Sequence, residues 1–370
     1  MSNFNSSDFV YRYNCEGDIS LNSDILKYKD KLFSKILILP YADYTYVADM
    51  LADAYSLLEV SSSSLIMFVP TQRVCGKNLM TFNKDFLCSL NELIKIDFEK
   101  LDKLASLYSV LEGDFEFEYK EFLKIHIDFI RALYPDIKIL PLFYNELSNG
   151  LLKGLLETFW ADSSFVFLSN MSCGFNYNDA KKNDKFIAYS IENLVERNYL
   201  PEDFTAYSIL NELLKFVRLK GASFIRLGLL NSGDIGTNLM ITKGFGAWFL
   251  YEGNCSTLVE KYFRQDIKDF ILFNLSRVLN CSCSTCFRFP KFFDQEFKIF
   301  VSFEKNGFVR GVSGSYKTPE VLYKALVKRS FGAAFSDNRF SPLRLDELEE
   351  IKIFVTFVAE NIMDSVSFEL

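Results

Sequence analysis

Along the first 250 residues, short runs of unbroken apolar residues alternate with longer stretches whose apolar positions recur every three or four residues. The runs Ile36-Leu37-Ile38-Leu39, Leu65-Ile66-Met67-Phe68-Val69, Ile137 to Phe143 and Phe165-Val166-Phe167-Leu168 predict strands buried on both faces. Between them, Thr45 to Glu59 and Glu118 to Leu133 carry the spacing of amphipathic helices. Two further strands are predicted over Ala222 to Leu230 and Phe245 to Tyr251, on either side of the polar loop Asn231-Ser232-Gly233-Asp234. Strand–helix alternation of this kind predicts an α/β sheet covered by helices, over residues 1–253.

Gly253-Asn254-Cys255-Ser256 interrupts that pattern, and a different order follows over 257–370. It reads as a helix from Thr257 to about Leu279, a cysteine-bearing loop, and a strand over Lys298 to Phe303. A glycine-rich turn, a helix from Pro319 to Phe335 and a strand over Ile351 to Val358 complete it. Thr318 is the expected N-cap of the second helix, with Pro319 at its first position. The expectation is a smaller α+β domain.

Composition narrows the chemistry. The chain has 370 residues, 49% of them apolar, enough for two buried cores. Its net charge of −7 argues against non-specific nucleic-acid binding by the whole chain. Met1 to Asn14 lacks the pattern of a secretory signal, and no apolar stretch approaches the roughly 18 residues that span a bilayer. A cytoplasmic protein without membrane contact is expected, its eight cysteines reduced. There is one histidine, His126. A two-histidine metal site within one protomer is therefore excluded, as is any Ser–His or Cys–His pair that does not use it. His126 shares an apolar stripe with Phe122 and Ile130 and reads as a structural histidine satisfied by a neighbour.

Two sets of motifs carry a resemblance. Ile36 to Leu58, with Pro40, Ala42, Tyr44, Tyr46, Ala52 and Tyr55, resembles the opening of the Memo family, where a strand ends in Pro-His-Ala-Gly-Tyr-x-Tyr-Ser-Gly ahead of an alanine-rich helix. Asn231-Ser232-Gly233-Asp234 and Gly244-Phe245-Gly246-Ala247 are similar to that family's later NSGD and GYAA segments. In the second part, Phe300 to Phe303, Gly307 to Gly314 and Ala333 to Pro342 resemble the AMMECR family, and Glu347-Leu348 and Ile353 to Val358 continue the likeness. The implied architecture is a Memo-like sheet domain, related to extradiol dioxygenases, followed by a shortened AMMECR-like domain. That order resembles the AmmeMemoRadiSam system, which implies a protein partner, with a radical-SAM protein as the candidate.

The departures from the Memo pattern fall on its metal site, which gathers histidines, an aspartate and a cysteine in a cleft at the strand ends. The first histidine's position is Tyr41 here, and Gln72 stands where Gly-Pro-Asn-His would supply another. Ser-Ser-Asp-x-Ser-His reads Leu168 to Cys173, with Asn170 for the aspartate and Cys173 for the histidine. The Glu-His pair reads Glu118-Tyr119, and the family cysteine falls near Phe204. A divalent ion needs about three converging anionic or imidazole donors at roughly 2–2.5 Å. Phenols with an ordinary pKa near 10 and neutral amides are poor replacements. The expectation is no metal and no cofactor in a degenerate cleft lined by Tyr41, Asp43, Tyr44, Gln72, Glu118, Tyr119, Asn170 and Cys173. In the AMMECR-like part the retained motif positions are Arg310, Gly311, Gly314, Asp337, Arg339 and Phe340, while the family's Arg-Gly-Cys-Ile-Gly has lost its thiol.

Three functions remain open on the sequence. One is a non-catalytic, pseudoenzyme-like scaffold that binds a ligand or partner. Another is an accessory enzyme of a radical-SAM-linked modification pathway, with chemistry from Cys173 or from a partner's cofactor. The last is phosphate or nucleic-acid binding through residues 310–344, where Arg310, Lys317, Lys324, Lys328, Arg329, Arg339 and Arg344 face only Glu320 and Asp337. Cys281, Cys283 and Cys286 are a weak soft-metal signal without a paired partner motif. Gly311-Val312-Ser313-Gly314 lacks the spacing of a nucleophile elbow, and its glycines are expected to form a tight turn beside Arg310.

Overall fold

The computed structural model describes residues 32–59, 64–71, 79–89, 92–114, 122–236, 238–280, 291–358 and 365–370. The chain divides into two compact units between Glu252 and Gly253.

In the first unit the predicted apolar runs become β1 (Ile36–Leu39), β2 (Ser64–Pro70), β7 (Lys138–Tyr144) and β8 (Ser163–Leu168), nearly every residue buried. They are consecutive in the order β1-β8-β2-β7 and run parallel. Parallel neighbours need crossovers, which accounts for the helices between them. Helix Tyr44–Ser56 begins where Asp43 accepts the Thr45 N–H, and it buries Val47, Met50, Leu51, Ala54 and Tyr55, the 3.6-residue stripe. Phe68 and Phe167 are opposite one another on β2 and β8, with rings stacked at 4.6 Å. Such a pair contributes about 1 kcal/mol beyond the area it buries.

The remaining strands lack continuous apolar runs, and most of them escaped the sequence reading. They are β3 (Leu79–Phe82), β4 (Phe86–Ser89), β5 (Glu92–Lys95), β6 (Val110–Gly113) and β9 (Cys173–Phe175). The expected pair appears as β10 (Ser223–Asn231) and β11 (Thr242–Tyr251), antiparallel to each other, with β11 antiparallel to β1. Among the described residues the full order is β10-β11-β1-β8-β2-β7-β3-β6, with β9 added alongside β11.

The second unit holds the expected first helix as a continuous run, Cys255–Leu258, a π-helical stretch Val259–Phe263 and Arg264–Asn280. Its short strands β12 (Glu296–Phe297) and β15 (Glu320–Val321) pair. A four-stranded sheet is built from β13 (Ile299–Lys305), β14 (Phe308–Gly314), β16 (Ile351–Phe357) and β17 (Val366–Glu369), in the order β14-β13-β16-β17.

Two expectations are corrected here. The second helix spans Leu322–Phe335 and not Pro319 to Phe335, with Val321 at its cap and no side-chain capping bond. Pairing of Glu320–Val321 with Glu296–Phe297 holds that segment extended, and the Leu322 N–H bonds the Gln295 carbonyl in place of a cap. The glycines of 311–314 lie within a strand and make no turn. The turn is at Asn306-Gly307, both at positive φ. Gly311 and Gly314 are needed for close approach, since a Cβ would collide with the Ala333 carbonyl at the first and with the Phe300 ring at the second.

Candidate functional site

Open α/β sheets present ligand crevices outside the carboxyl ends of their parallel strands. Leu39 is aligned with Leu168, so the chain leaving β1 and the chain leaving β8 emerge side by side. This brings Tyr41 against Asn170. The Asn170 amide oxygen accepts the Tyr41 N–H at 3.0 Å, and its NH2 donates to the Tyr41 carbonyl at 2.7 Å. Thr205 fixes Asn170 in turn, its hydroxyl accepting from the Asn170 N–H (2.7 Å) and donating to the Asn170 carbonyl (2.8 Å). Asn170 is buried, and its side chain is spent joining two loops.

The neighbouring residues have structural duties too. Exposed Asp43 caps helix Tyr44–Ser56, accepting from the Thr45 N–H and hydroxyl. Tyr44 stacks on Phe129 at 5.9 Å, and burial, then Asp49 and Asp128, push its phenol up to about 12. Tyr41 meets the Phe122 ring edge-on at 4.2 Å. Beneath them His126 is fully buried, with Nδ1 2.8 Å from the Tyr55 hydroxyl. Burial pushes His126 down to about 3 and Tyr55 well up, so the phenol donates to a neutral imidazole. The proton of that imidazole is assigned to Nε2, which faces the Pro40 carbonyl without meeting hydrogen-bond geometry. The single histidine thus supports the end of β1 from below.

Cys173 has other partners. It is exposed on β9 opposite Lys243 of β11, and its N–H donates to the Glu202 carbonyl at 2.8 Å. Phe204 is a core residue. Gln72, Glu118 and Tyr119 lie outside the described residues, as do Cys281, Cys283 and Cys286.

The sequence reading missed Asp184. Helix Tyr177–Glu192 buries Ala180, Asp184, Ile187, Ala188 and Ile191, so the carboxylate occupies a place in an apolar stripe. That spacing is the signal that was available. Asp184 accepts from the Ser172 N–H at 3.1 Å, the Ser172 hydroxyl at 2.6 Å and the Asn231 amide at 3.3 Å. Through Asn231 the NSGD segment reaches it. Asp234 closes a capping box onto Asn231 and takes bonds from Tyr177 (2.6 Å) and Lys181 (2.7 Å), and the Ser232 hydroxyl accepts the Lys243 N–H.

In the second unit the retained motif positions form a packing seam beside β14. Arg310 grips Glu347 through Nε (3.0 Å) and Nη2 (2.9 Å), holding that carboxyl down at about 2. Asp337 accepts the Val312 N–H at 2.9 Å and the Arg339 guanidinium at 2.7 Å, which holds it well below the usual carboxylate range. The Phe340 ring has the guanidinium of Arg310 at 6.0 Å and of Arg339 at 5.4 Å. Elsewhere in the basic stretch Lys328 and Arg329 pair with Glu320, and Arg344 with Asp346. Much of its charge is neutralised by neighbours within the unit, two of which, Asp346 and Glu347, fall just outside residues 310–344.

With the sequence matches that follow, a curled open sheet followed by an α+β unit is a Memo-like domain joined to an AMMECR-like domain. Residues 277–364 match the AMMECR1 family model. The chain is 21% identical over 172 residues to a MEMO1 family protein of Aquifex aeolicus (strain VF5), covering 45% of this chain and 64% of that one. It is 36% identical over 67 residues to a protein of Methanothermobacter thermautotrophicus (strain Delta H), covering 18% and 35% respectively. The chain therefore spans less than two thirds of either relative's length. A solved structure, the uncharacterized protein PH0010 from Pyrococcus horikoshii, is 20% identical with a TM-score of 0.22, over 25% of this chain and 52% of that one.

Among the described residues, the donors at the strand ends do not match those of the metal site that the Memo resemblance implies. Both polar atoms of the Asn170 amide are bonded to backbone, Tyr41 offers a phenol, and Cys173 is exposed on β9. Among the described residues no group of three or more His, Cys, Asp or Glu is placed to hold an ion. No described helix is long and apolar enough to cross a membrane.

Proposed function

We propose that this chain is a non-catalytic, pseudoenzyme-like protein of the AmmeMemoRadiSam type, a scaffold that binds a ligand or a protein partner. The observation that carries this reading is the Asn170–Tyr41 clamp. In the family motif, an aspartate and a histidine at these positions would point free donors into the cleft. Here an amide uses its acceptor and its donor on the backbone of the neighbouring loop, so the Asn170 side chain is spent on a brace. Lewis-acid chemistry needs several anionic or imidazole donors converging on one point, and this pair supplies none. The brace would hold the two strand-end loops in a fixed relation, as a binding function requires. The partner is proposed to be a protein, with a radical-SAM protein as the first candidate from the resemblance.

Elemental analysis of protein purified without chelators tests this. Substoichiometric iron, zinc and copper, unchanged by Asn170→Ala and Cys173→Ala, is expected. One equivalent of any of these, lost in either variant, would overturn the reading.

A further inference from the structure

We propose that Asp184 is a proton-controlled latch on the segment carrying Asn170 and Cys173: tight when its carboxyl is protonated, looser when it is ionised. The segment has little regular structure and is held amide by amide. The Asn170 N–H goes to Thr205, the Met171 N–H to the Gly244 carbonyl, the Ser172 N–H to Asp184 and the Cys173 N–H to the Glu202 carbonyl. Asp184 is thus the one titratable side chain among these four anchors. It also receives the Ser172 hydroxyl and the Asn231 amide, tying the segment to the NSGD turn. On the β11 side Gly244 packs against the carboxylate with no room for a Cβ.

Among the described residues no cation touches this carboxylate. Its donors are neutral, and the charge that bears on it is Asp234, a like charge, whose own partners are Lys181 and Tyr177. Of the flanking residues, Lys243 and Cys173 are both exposed. Burial therefore outweighs the three hydrogen bonds and pushes the Asp184 carboxyl up to about 6. When the segment lifts and water enters, the carboxyl returns towards the ordinary aspartate value of about 3.9. The closed form binds the proton more tightly, so ionisation must favour opening. Two units of difference correspond to roughly a 100-fold larger opening equilibrium well above pH 6 than well below pH 4.

The latch rests on the proposed binding function only for what its opening would do to a ligand in the crevice; the motion itself needs no ligand. Hydrogen exchange of the full chain measures it, on peptides spanning 169–175 with β7 as internal reference, corrected for the intrinsic pH dependence of exchange. Between pH 5 and pH 8, a window that captures only part of the full change, the protection of 169–175 relative to β7 should fall by about tenfold. Asp184→Asn should remove that dependence. Ser172→Ala, which deletes a donor that lowers the pKa, should move its midpoint upwards. A wild-type segment whose relative protection stays flat, or an Asp184→Asn protein with the wild-type slope, would sink the proposal. Should Asp184→Asn not fold, an unmoved midpoint in Ser172→Ala sinks it equally. Metal content, the test of the scaffold reading, is unaffected by either result.

Discussion

Replacing Asn170 by aspartate, the residue that the Memo resemblance implies there, should weaken the first unit, although it changes a single NH2 to an oxygen. The Asn170 amide donates to the Tyr41 carbonyl at 2.7 Å and accepts the Tyr41 N–H at 3.0 Å, in a buried position. An ionised carboxylate in its place can accept but not donate, so a carboxylate oxygen would face a carbonyl oxygen at hydrogen-bond distance. The lost bond costs about 1 kcal/mol and the stranded buried carbonyl about 1–3 kcal/mol, giving roughly 2–4 kcal/mol for Asn170→Asp near pH 7.5. The pH dependence has a definite sign. Burial and the facing carbonyl raise the folded-state pKa of the new carboxyl, so its protonated form, again a donor, is favoured by folding. The loss should therefore shrink on acidification towards pH 5. Both tryptophans, Trp160 and Trp248, lie in the first unit, so urea unfolding followed by selectively excited tryptophan fluorescence reports on that unit. Stability within about 0.5 kcal/mol of wild type at pH 7.5, below the cost of one hydrogen bond, would refute the clamp, as would a loss that grows on acidification.

Further outcomes follow from the same structure. Gly311→Ala should destabilise the second unit by about 1–3 kcal/mol, because the new methyl meets the backbone of helix Leu322–Phe335 and not a yielding side chain; calorimetry of the full chain reads it. Tyr55→Phe removes the donor to His126 Nδ1 and strands a buried imidazole nitrogen, so the fluorescence midpoint should fall by an amount equivalent to about 1–3 kcal/mol. Glu347, held at about 2 by Arg310, stabilises the fold above its unfolded value and loses that contribution as pH falls from about 4.5 towards 2. Glu347→Gln should flatten that part of the acid-unfolding curve, and an unchanged slope would show that the ion pair does not contribute.

The expected strands of the parallel core appear because their signal is local: a strand buried on both faces must be apolar at every position, and β1, β2, β7 and β8 are nearly so. Strands such as Val110–Gly113 and Cys173–Phe175 are short and only partly covered, so no apolar run marks them, and neighbours create them. Thr318-Pro319 is a good helix start in isolation, yet pairing of Glu320–Val321 with Glu296–Phe297 overrides it. The glycines at 311 and 314 invite a turn reading because nothing local reveals the Ala333 carbonyl and Phe300 ring lying against them.

By itself the sequence determined the order of two unlike units, the parallel core of the first, and the absence of enough histidine for a two-histidine centre. Those are matters of composition and periodicity, which need no partner in space. Only the tertiary structure decided what the buried polar residues do. Asn170 is a brace because β8 lies beside β1, His126 is neutral because Tyr55 and burial meet at one point, and Asp184 is a carboxylate among neutral donors because three segments close over it. Each depends on contacts between residues distant in the chain, and no local pattern encodes them.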